Sequence, residues 1–340
     1  MGHEYILFPN GDGFKKIPSG LAYGPPKNAY FDLGKWLIEQ PNWLEGLLKK
    51  NDIVQLMNPY SLILPRRIAS SSYRQYIIWK LKSARKHYKV KLGLSVAGCS
   101  ALTIKEMGNL KRSPCAGCMT DTQTTKCVLD VPMNYKYEKE LYTLCDCVIP
   151  FGGCAYERSA IGLAALPMPV DHQSLPYNKN VVLEKIRILH GINHAGFKGS
   201  KFIINALNRL SERFENAEVI IVERLPFKEY LQLVSTCNVV VDQLFGDGLG
   251  MNALLSMALG RVVLTSHDPA CIRKIYGESA PALDISSEES VYSVLSEMLT
   301  TWSAVDFLEV GERSRLFVEA YCDASSIAAR VLDYYLERME

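Results

Sequence analysis

Ile186-Arg187-Ile188-Leu189-His190-Gly191-Ile192-Asn193-His194-Ala195-Gly196-Phe197-Lys198-Gly199-Ser200 decides the fold. The apolar run from Ile186 to His190 ends at a glycine. From Lys201 to Phe214 the residues Phe202, Ile203, Ala206, Leu207, Leu210 and Phe214 then fall on one helical stripe. A buried strand leading through a glycine-bearing turn into a helix is one unit of a parallel sheet covered by helices. The alternation continues with strands at Ala217 to Val222, Asn238 to Asp242 and Arg261 to Thr265. Helices are expected at Pro226 to Thr236 and from about Met251 to Leu259, the latter closed by Gly260. The second half thus reads as a Rossmann-like unit, whose ligands sit beyond the carboxyl ends of the strands.

Working outward, the first half predicts strands at Glu4 to Phe8, Ile53 to Met57, Lys91 to Val96 and Cys147 to Ile149, and a helix over Tyr73 to Tyr88. Leu166-Pro167-Met168-Pro169-Val170-Asp171 has the proline density of a linker, which divides the chain into domains over 1–170 and 171–340. Ser314 to Glu340 reads as helical and is a candidate to cross back to the first domain. The expected fold class is α/β, two Rossmann-like domains with parallel sheets facing across a cleft.

A chain of 340 residues, 48% hydrophobic and 22% charged, suits two globular domains. No apolar run approaches the roughly 20 residues that span a bilayer, and the N-terminus lacks a signal-peptide pattern, so a cytoplasmic protein with reduced thiols is expected. The net charge of +2 hides an asymmetry: residues 1–170 carry +9 and residues 171–340 carry −7. Between Asp52 and Glu106 no acidic residue interrupts ten basic ones. Such a block suits an anionic partner, and its aromatic-rich helix fits an anionic membrane touched through Arg66 to Lys91. A helix that packs its Ile/Leu stripe and solvates its cations explains it equally. No RNA- or DNA-binding module accompanies the charge, so nucleic acid is not an expected partner.

Two turns carry the chemistry. Gly191, Asn193, Lys198 and Gly199 join glycine turns, a point charge and the amides of a helix start, a combination suited to a diphosphate, with Ser200 as the expected N-cap. Asp247-Gly248-Leu249-Gly250-Met251 precedes the helix beginning with Asn252 and lets backbone approach a ligand closely. Each alone is an ordinary turn; both open on one sheet edge. Glu223-Arg224-Leu225 and Asp242 follow strands at the same edge, where ion pairing and ligand contact are both open readings. In the first half Asn58, and Gly98 with Cys99, follow strands and should face the cleft on the acceptor side.

These motifs, together with Leu254-Leu255-Ser256-Met257-Ala258-Leu259-Gly260-Arg261-Val262-Val263, resemble the C-terminal domain of group 1, family 4-like glycosyltransferases of the GT-B fold. The resemblance covers roughly residues 186–265. It implies that Lys198-Gly199 binds the donor diphosphate and that Asp247 stands where the family has the first glutamate of its Glu-x7-Glu motif. Leu255 stands at the second, which binds ribose, and Asn193 stands where an arginine usually precedes the lysine. It also implies a nucleotide-sugar donor, a glycan or lipid-linked acceptor and a place in bacterial surface polysaccharide synthesis at the inner membrane face. Lys198 and Asp247 become the catalytic candidates, in a metal-independent reaction needing no cofactor besides the donor; related enzymes retain configuration, while an inverting reaction, which needs a carboxylate or histidine base near the acceptor, stays open. A nucleotide-sugar epimerase of the same architecture and an inactive nucleotide-sugar-binding module are the alternatives.

Cys115-Ala116-Gly117-Cys118 is half of a zinc-type spacing, continued by Cys127, Cys145, Cys147 and Cys154. Its partner pair, Cys145-Asp146-Cys147, opens a strand and points its thiols to opposite faces. No metal is expected.

Overall fold

The structure, a computed structural model, describes residues 44–60, 71–123, 127–160, 164–182 and 184–337. The expected strand at Glu4 to Phe8 and the basic residues Arg66 and Arg67 lie outside them.

Two parallel sheets form. In the first, β1 (Ile53–Leu56), β2 (Lys91–Val96) and β3 (Cys147–Pro150) pair in chain order. Residues 44–50 form α1, and α2 (Ser71–Tyr88) connects β1 to β2. Between β2 and β3 run α3 (Ala101–Gly108), α4 (Pro114–Asp121) and α5 (Pro132–Leu144), and α6 (Cys154–Ser159) follows β3. The α2 stripe of Ile77, Ile78, Leu81 and Ala84 is buried, leaving Trp79, Lys82 and Lys86 exposed on its outer side.

The second sheet contains β4 (Ile186–Ile192), β5 (Ala217–Glu223), β6 (Val239–Val241) and β7 (Val262–Leu264) in the order β5-β4-β6-β7. Its strands β6, Val-Val-Val, and β7, Val-Val-Leu, are buried throughout, as β-branched runs covered on both faces should be. The connecting helices are α7 (Ala195–Lys198), α8 (Ser200–Arg213), α9 (Phe227–Ser235) and α10 (Met251–Ala258). After β7 come α11 (Pro269–Tyr276), α12 (Glu288–Thr301), α13 (Ala304–Tyr321) and α14 (Ala324–Leu336). The α8 stripe buries Ile203, Ala206, Leu207 and Leu210, whereas Phe202 is 42% exposed. At about 100° per residue the buried stripe centres between Ala206 and Leu207, and Phe202 falls at its solvent-facing edge.

The C-terminal helix does return to the first sheet. Ile327 and Tyr335 of α14 pack with Cys147, Ile149 and Phe151, and the Tyr335 hydroxyl donates to Gln55 Oε1. Gly93 makes room for this: a Cβ there would stand 1.2 Å from the same hydroxyl oxygen. The outgoing linker and the returning chain lie side by side, since Val170 N–H donates to Cys322 at 2.7 Å and Ala324 N–H to Val170 at 3.1 Å.

One expectation about the cysteines is corrected. Cys154 of α6 and Cys271 of α11 form a disulfide, their Cα atoms 5.8 Å apart and within bridging range. Packing of α6 against α11 brings together thiols 117 residues apart, a proximity that no sequence spacing announces. Among the described residues no helix is long and apolar enough to cross a membrane.

Candidate active site

In the second sheet the chain passes from β4 outward to β5, then crosses to β6 on the other side of β4. That reversal opens a crevice at the carboxyl end of β4, where Gly191 and the turn to α7 lie. The turn is built differently from the expected one. His194 caps α7, a single helical turn, and Gly199 ends it with φ at +71°, a conformation that favours glycine. Ser200 is therefore the first residue of α8 and not its cap. Its hydroxyl is held 2.9 Å from His190 Nε2, while His190 Nδ1 lies 2.8 Å from the Val241 carbonyl and must donate to it. Burial drives the His190 pKa down to about 4, so the imidazole is neutral and structural.

Lys198 points inward. Its Nζ donates to Asp242 Oδ1 at 2.8 Å and to the Gly191 carbonyl at 3.0 Å. Asn252 Nδ2 donates to the same carboxylate oxygen at 2.8 Å, and the Tyr230 hydroxyl donates to Asn252 Oδ1 at 2.6 Å. Asp242 Oδ2 is buried without a hydrogen-bond partner, and a Cβ on Gly250 would stand in ordinary contact with it at 3.4 Å. The Gly199 N–H expected to bind phosphate is turned back onto the Gly196 carbonyl, a consequence of closing α7.

Above Lys198 lies a cavity of about 270 Å³. Gly191, Ile192, Asn193 and Lys198 form one wall, Val222, Arg224, Leu225, Phe227 and Tyr230 a second, and Met251, Asn252 and Leu255 a third. Of the expected donor residues, Gly191, Asn193, Lys198, Arg224, Leu225, Met251 and Asn252 meet here. Asp242 stands behind Lys198, and Glu223 turns to solvent and pairs with Arg224 at 3.2 Å. Leu255, noted in the sequence as standing at the second motif position, also lines the cavity, whereas Phe227 and Tyr230 were not singled out. They are apolar or aromatic helix positions, indistinguishable by pattern from core residues.

Asp247 and Gly248 go elsewhere. Asp247 is 8% exposed, and its Oδ2 accepts the Ala155 N–H of α6 at 2.8 Å with Arg158 Nη2 at 3.8 Å. Burial raises its carboxyl pKa against the opposing pull of that hydrogen bond and of Arg158. A Cβ on Gly248 would meet the Gly152 carbonyl oxygen at 1.8 Å, so this turn packs backbone to backbone on the loop before α6. Leu249 is buried in the core, and Gly250 is the N-cap residue of α10. The expected glycine-rich turn therefore divides: Met251 and Asn252 face the cavity, whereas Asp247 and Gly248 join the two halves.

On the first-half side, Gly98 and Cys99 reach this junction through Tyr156, whose phenol bonds to the Gly98 backbone and is held protonated by burial beside Cys99 and Asp247. The start of α3 cannot bind a ligand anion, because the buried Glu138 carboxylate already accepts the Ala101 N–H at 2.6 Å and the Leu102 N–H at 2.8 Å. Asn58 accepts the Tyr60 N–H at 2.7 Å and so shapes its own turn. Cys115 and Cys118 are neighboured by Cys99 and Cys127, not by Cys145 and Cys147; burial raises the two thiol pKa values to about 11 and about 12. Among the described residues no group of three or more His, Cys, Asp or Glu is arranged to hold a metal ion.

No protein-family model matches the chain, and no curated protein matches it in sequence. Solved structures match it in shape. A sucrose-phosphate synthase of Thermosynechococcus elongatus aligns with a TM-score of 0.55 at 13% identity, over 92% of this chain and 81% of the other. Anabaena HepE, solved with UDP and glucose, aligns with a TM-score of 0.55 at 10% identity, over 91% and 83%. A Listeria monocytogenes protein named as a UDP-N-acetylglucosamine 2-epimerase aligns with a TM-score of 0.51 at 13% identity, over 94% and 84%. At such identities the likeness establishes the fold: a two-sheet α/β architecture of the GT-B class.

Proposed function

We propose that the chain is a glycosyltransferase that moves a sugar from a nucleotide-sugar donor to a hydroxyl of a glycan or lipid-linked acceptor, in bacterial surface polysaccharide synthesis. The observation that carries this reading is the polarity of the cavity at the switch point. Its lining joins Lys198 and the start of α10 with the apolar side chains of Leu225 and Phe227. A nucleoside diphosphate calls for both kinds of surface, and HepE holds UDP and glucose within the same fold.

In the reaction the bond between the anomeric carbon and the diphosphate oxygen breaks as a bond to the acceptor oxygen forms. The acceptor proton leaves with the diphosphate or to a nearby base. Negative charge grows on the leaving group, and Lys198, with the N-terminus of α10, stabilises it more in the transition state than in the ground state. No cofactor besides the donor is called for, and retention without a metal follows the family resemblance. Asp247 is read as a positioning group, since it fixes α6 and with it Tyr156 and Gly98 on the acceptor side. The exposed Trp79, Lys82 and Lys86 of α2 suit an anionic membrane carrying a lipid-linked acceptor.

Incubation of the full chain with nucleotide sugars tests the reading. A transferase releases nucleoside diphosphate slowly by hydrolysis and faster with acceptor glycans. Conversion of the sugar without any acceptor would instead establish an epimerase, and binding without turnover an inactive module.

A further inference from the structure

Lys198 and Arg224 both line the cavity, and their surroundings differ. Resting on the donor-site reading above, we infer that Arg224 recognises the anionic group of the bound nucleotide, moving to it from Glu223, and adds the charge that Lys198 alone does not supply.

The Lys198 side chain is 6% exposed and that of its partner Asp242 1%. Two of the three ammonium N–H groups are committed, one to Asp242 Oδ1 at 2.8 Å and one to the Gly191 carbonyl at 3.0 Å. One N–H remains for a ligand, on an ammonium whose charge the adjacent carboxylate largely offsets. Breaking this pair to free the full charge would leave Asp242 as a buried anion without its cation, which is strongly destabilising. Arg224 stands in the opposite situation. Its pair with Glu223 at 3.2 Å joins side chains that are 73% and 59% exposed, and pairs of that kind contribute little and are screened by salt. Exchanging Glu223 for a ligand phosphate therefore costs little, and the planar guanidinium matches phosphate oxygens through two parallel N–H bonds.

The backbone supplies a second, independent sign. Arg224 has φ at +55°, in the left-handed region that glycine adopts freely and a long side chain rarely does. Its N–H donates at 3.3 Å to the carbonyl of Ile192, another lining residue, which ties the turn after β5 to the end of β4. Glycine would serve such a turn with less strain. A strained position that nonetheless carries a long cation on the cavity wall is accounted for by ligand binding.

The test is calorimetric titration of the full chain with UDP, GDP, ADP and dTDP, continued with whichever binds most tightly. Arg224→Gln should weaken that binding about tenfold or more, through the loss of a charge-assisted contact. Arg224→Gly removes the same cation and relieves the backbone, so it should weaken binding as much in a chain that melts no lower than Arg224→Gln. Glu223→Gln, which releases the guanidinium, should bind at least as tightly as the unmodified chain. If the unmodified chain binds a nucleoside diphosphate and both Arg224 variants bind it within about twofold as tightly, this inference alone is overturned. The same follows if Glu223→Gln weakens binding as much as they do, because the ion pair and not the cation would then be what matters. Binding of none of the four by the unmodified chain overturns it together with the donor-site reading on which it rests.

Discussion

Lys198 Nζ lies 2.8 Å from Asp242 Oδ1, and both side chains are buried. The cation that a diphosphate would seek is thus already paired, and donor binding must share it instead of filling a vacant charge. The pair is also a folding commitment, because either member left alone would be a buried charge without a partner.

Lys198→Ala should therefore cost stability as well as binding, by about 3–5 kcal/mol in urea titrations. Lys198→Met combined with Asp242→Leu should restore most of that loss while leaving diphosphate binding abolished. If the single and double variants lose equal stability, the ion pair is not what holds this turn.

Gly248→Ala should destabilise by about 1–3 kcal/mol, because its new methyl group would overlap the Gly152 carbonyl. Gly46→Ala is the control. It lies in α1 with nothing within 4 Å of an added Cβ, so the gain in helix propensity should stabilise by up to about 1 kcal/mol. Thermal melts of the two variants should move in opposite directions.

His190 predicts a pH dependence. Its folded pKa of about 4 lies below the ordinary 6.5, so between these values the unfolded chain takes up a proton that the folded chain refuses. Stability should be full above about pH 6.5 and decline as pH falls toward 4, by about 3 kcal/mol. His190→Gln should flatten this part of the urea-midpoint profile. A profile equally steep in the variant would assign the slope to other groups.

The Cys154–Cys271 bridge joins α6 to α11 beside Asp247, in parallel with the Lys274–Glu157 ion pair. Alkylation in denaturant should label eight thiols before reduction and all ten after it. Reduction should cost about 2–4 kcal/mol, given the long loop the bridge closes, and Cys154→Ser with Cys271→Ser should remove the sensitivity to reductant.

The second sheet was legible because its strands are short apolar runs bounded by glycine and polar turns, and its helices carry clear stripes. Lys198, Asn252 and Arg224 could be placed at one sheet edge because the carboxyl ends of parallel strands all open there. Harder to read was what each turn does with its own backbone. His194 and Gly199 close an extra helical turn that consumes the Gly199 amide, and Glu138 reaches across 37 residues to occupy the start of α3. Asp247 matched a motif by position, yet its partner Ala155 comes from the other half of the chain, and such long-range pairing leaves no local trace. The disulfide escaped notice for the same reason.

The most direct measurement is the melting temperature of the full chain titrated with nucleoside diphosphates. A ligand at a hundredfold excess over its Kd adds about 2.7 kcal/mol, a rise of several degrees. That rise is expected with the unmodified chain and should vanish in the Lys198→Met, Asp242→Leu variant, whose fold is retained. If no nucleoside diphosphate raises the melting temperature, the cavity above Lys198 is not a nucleotide-sugar site.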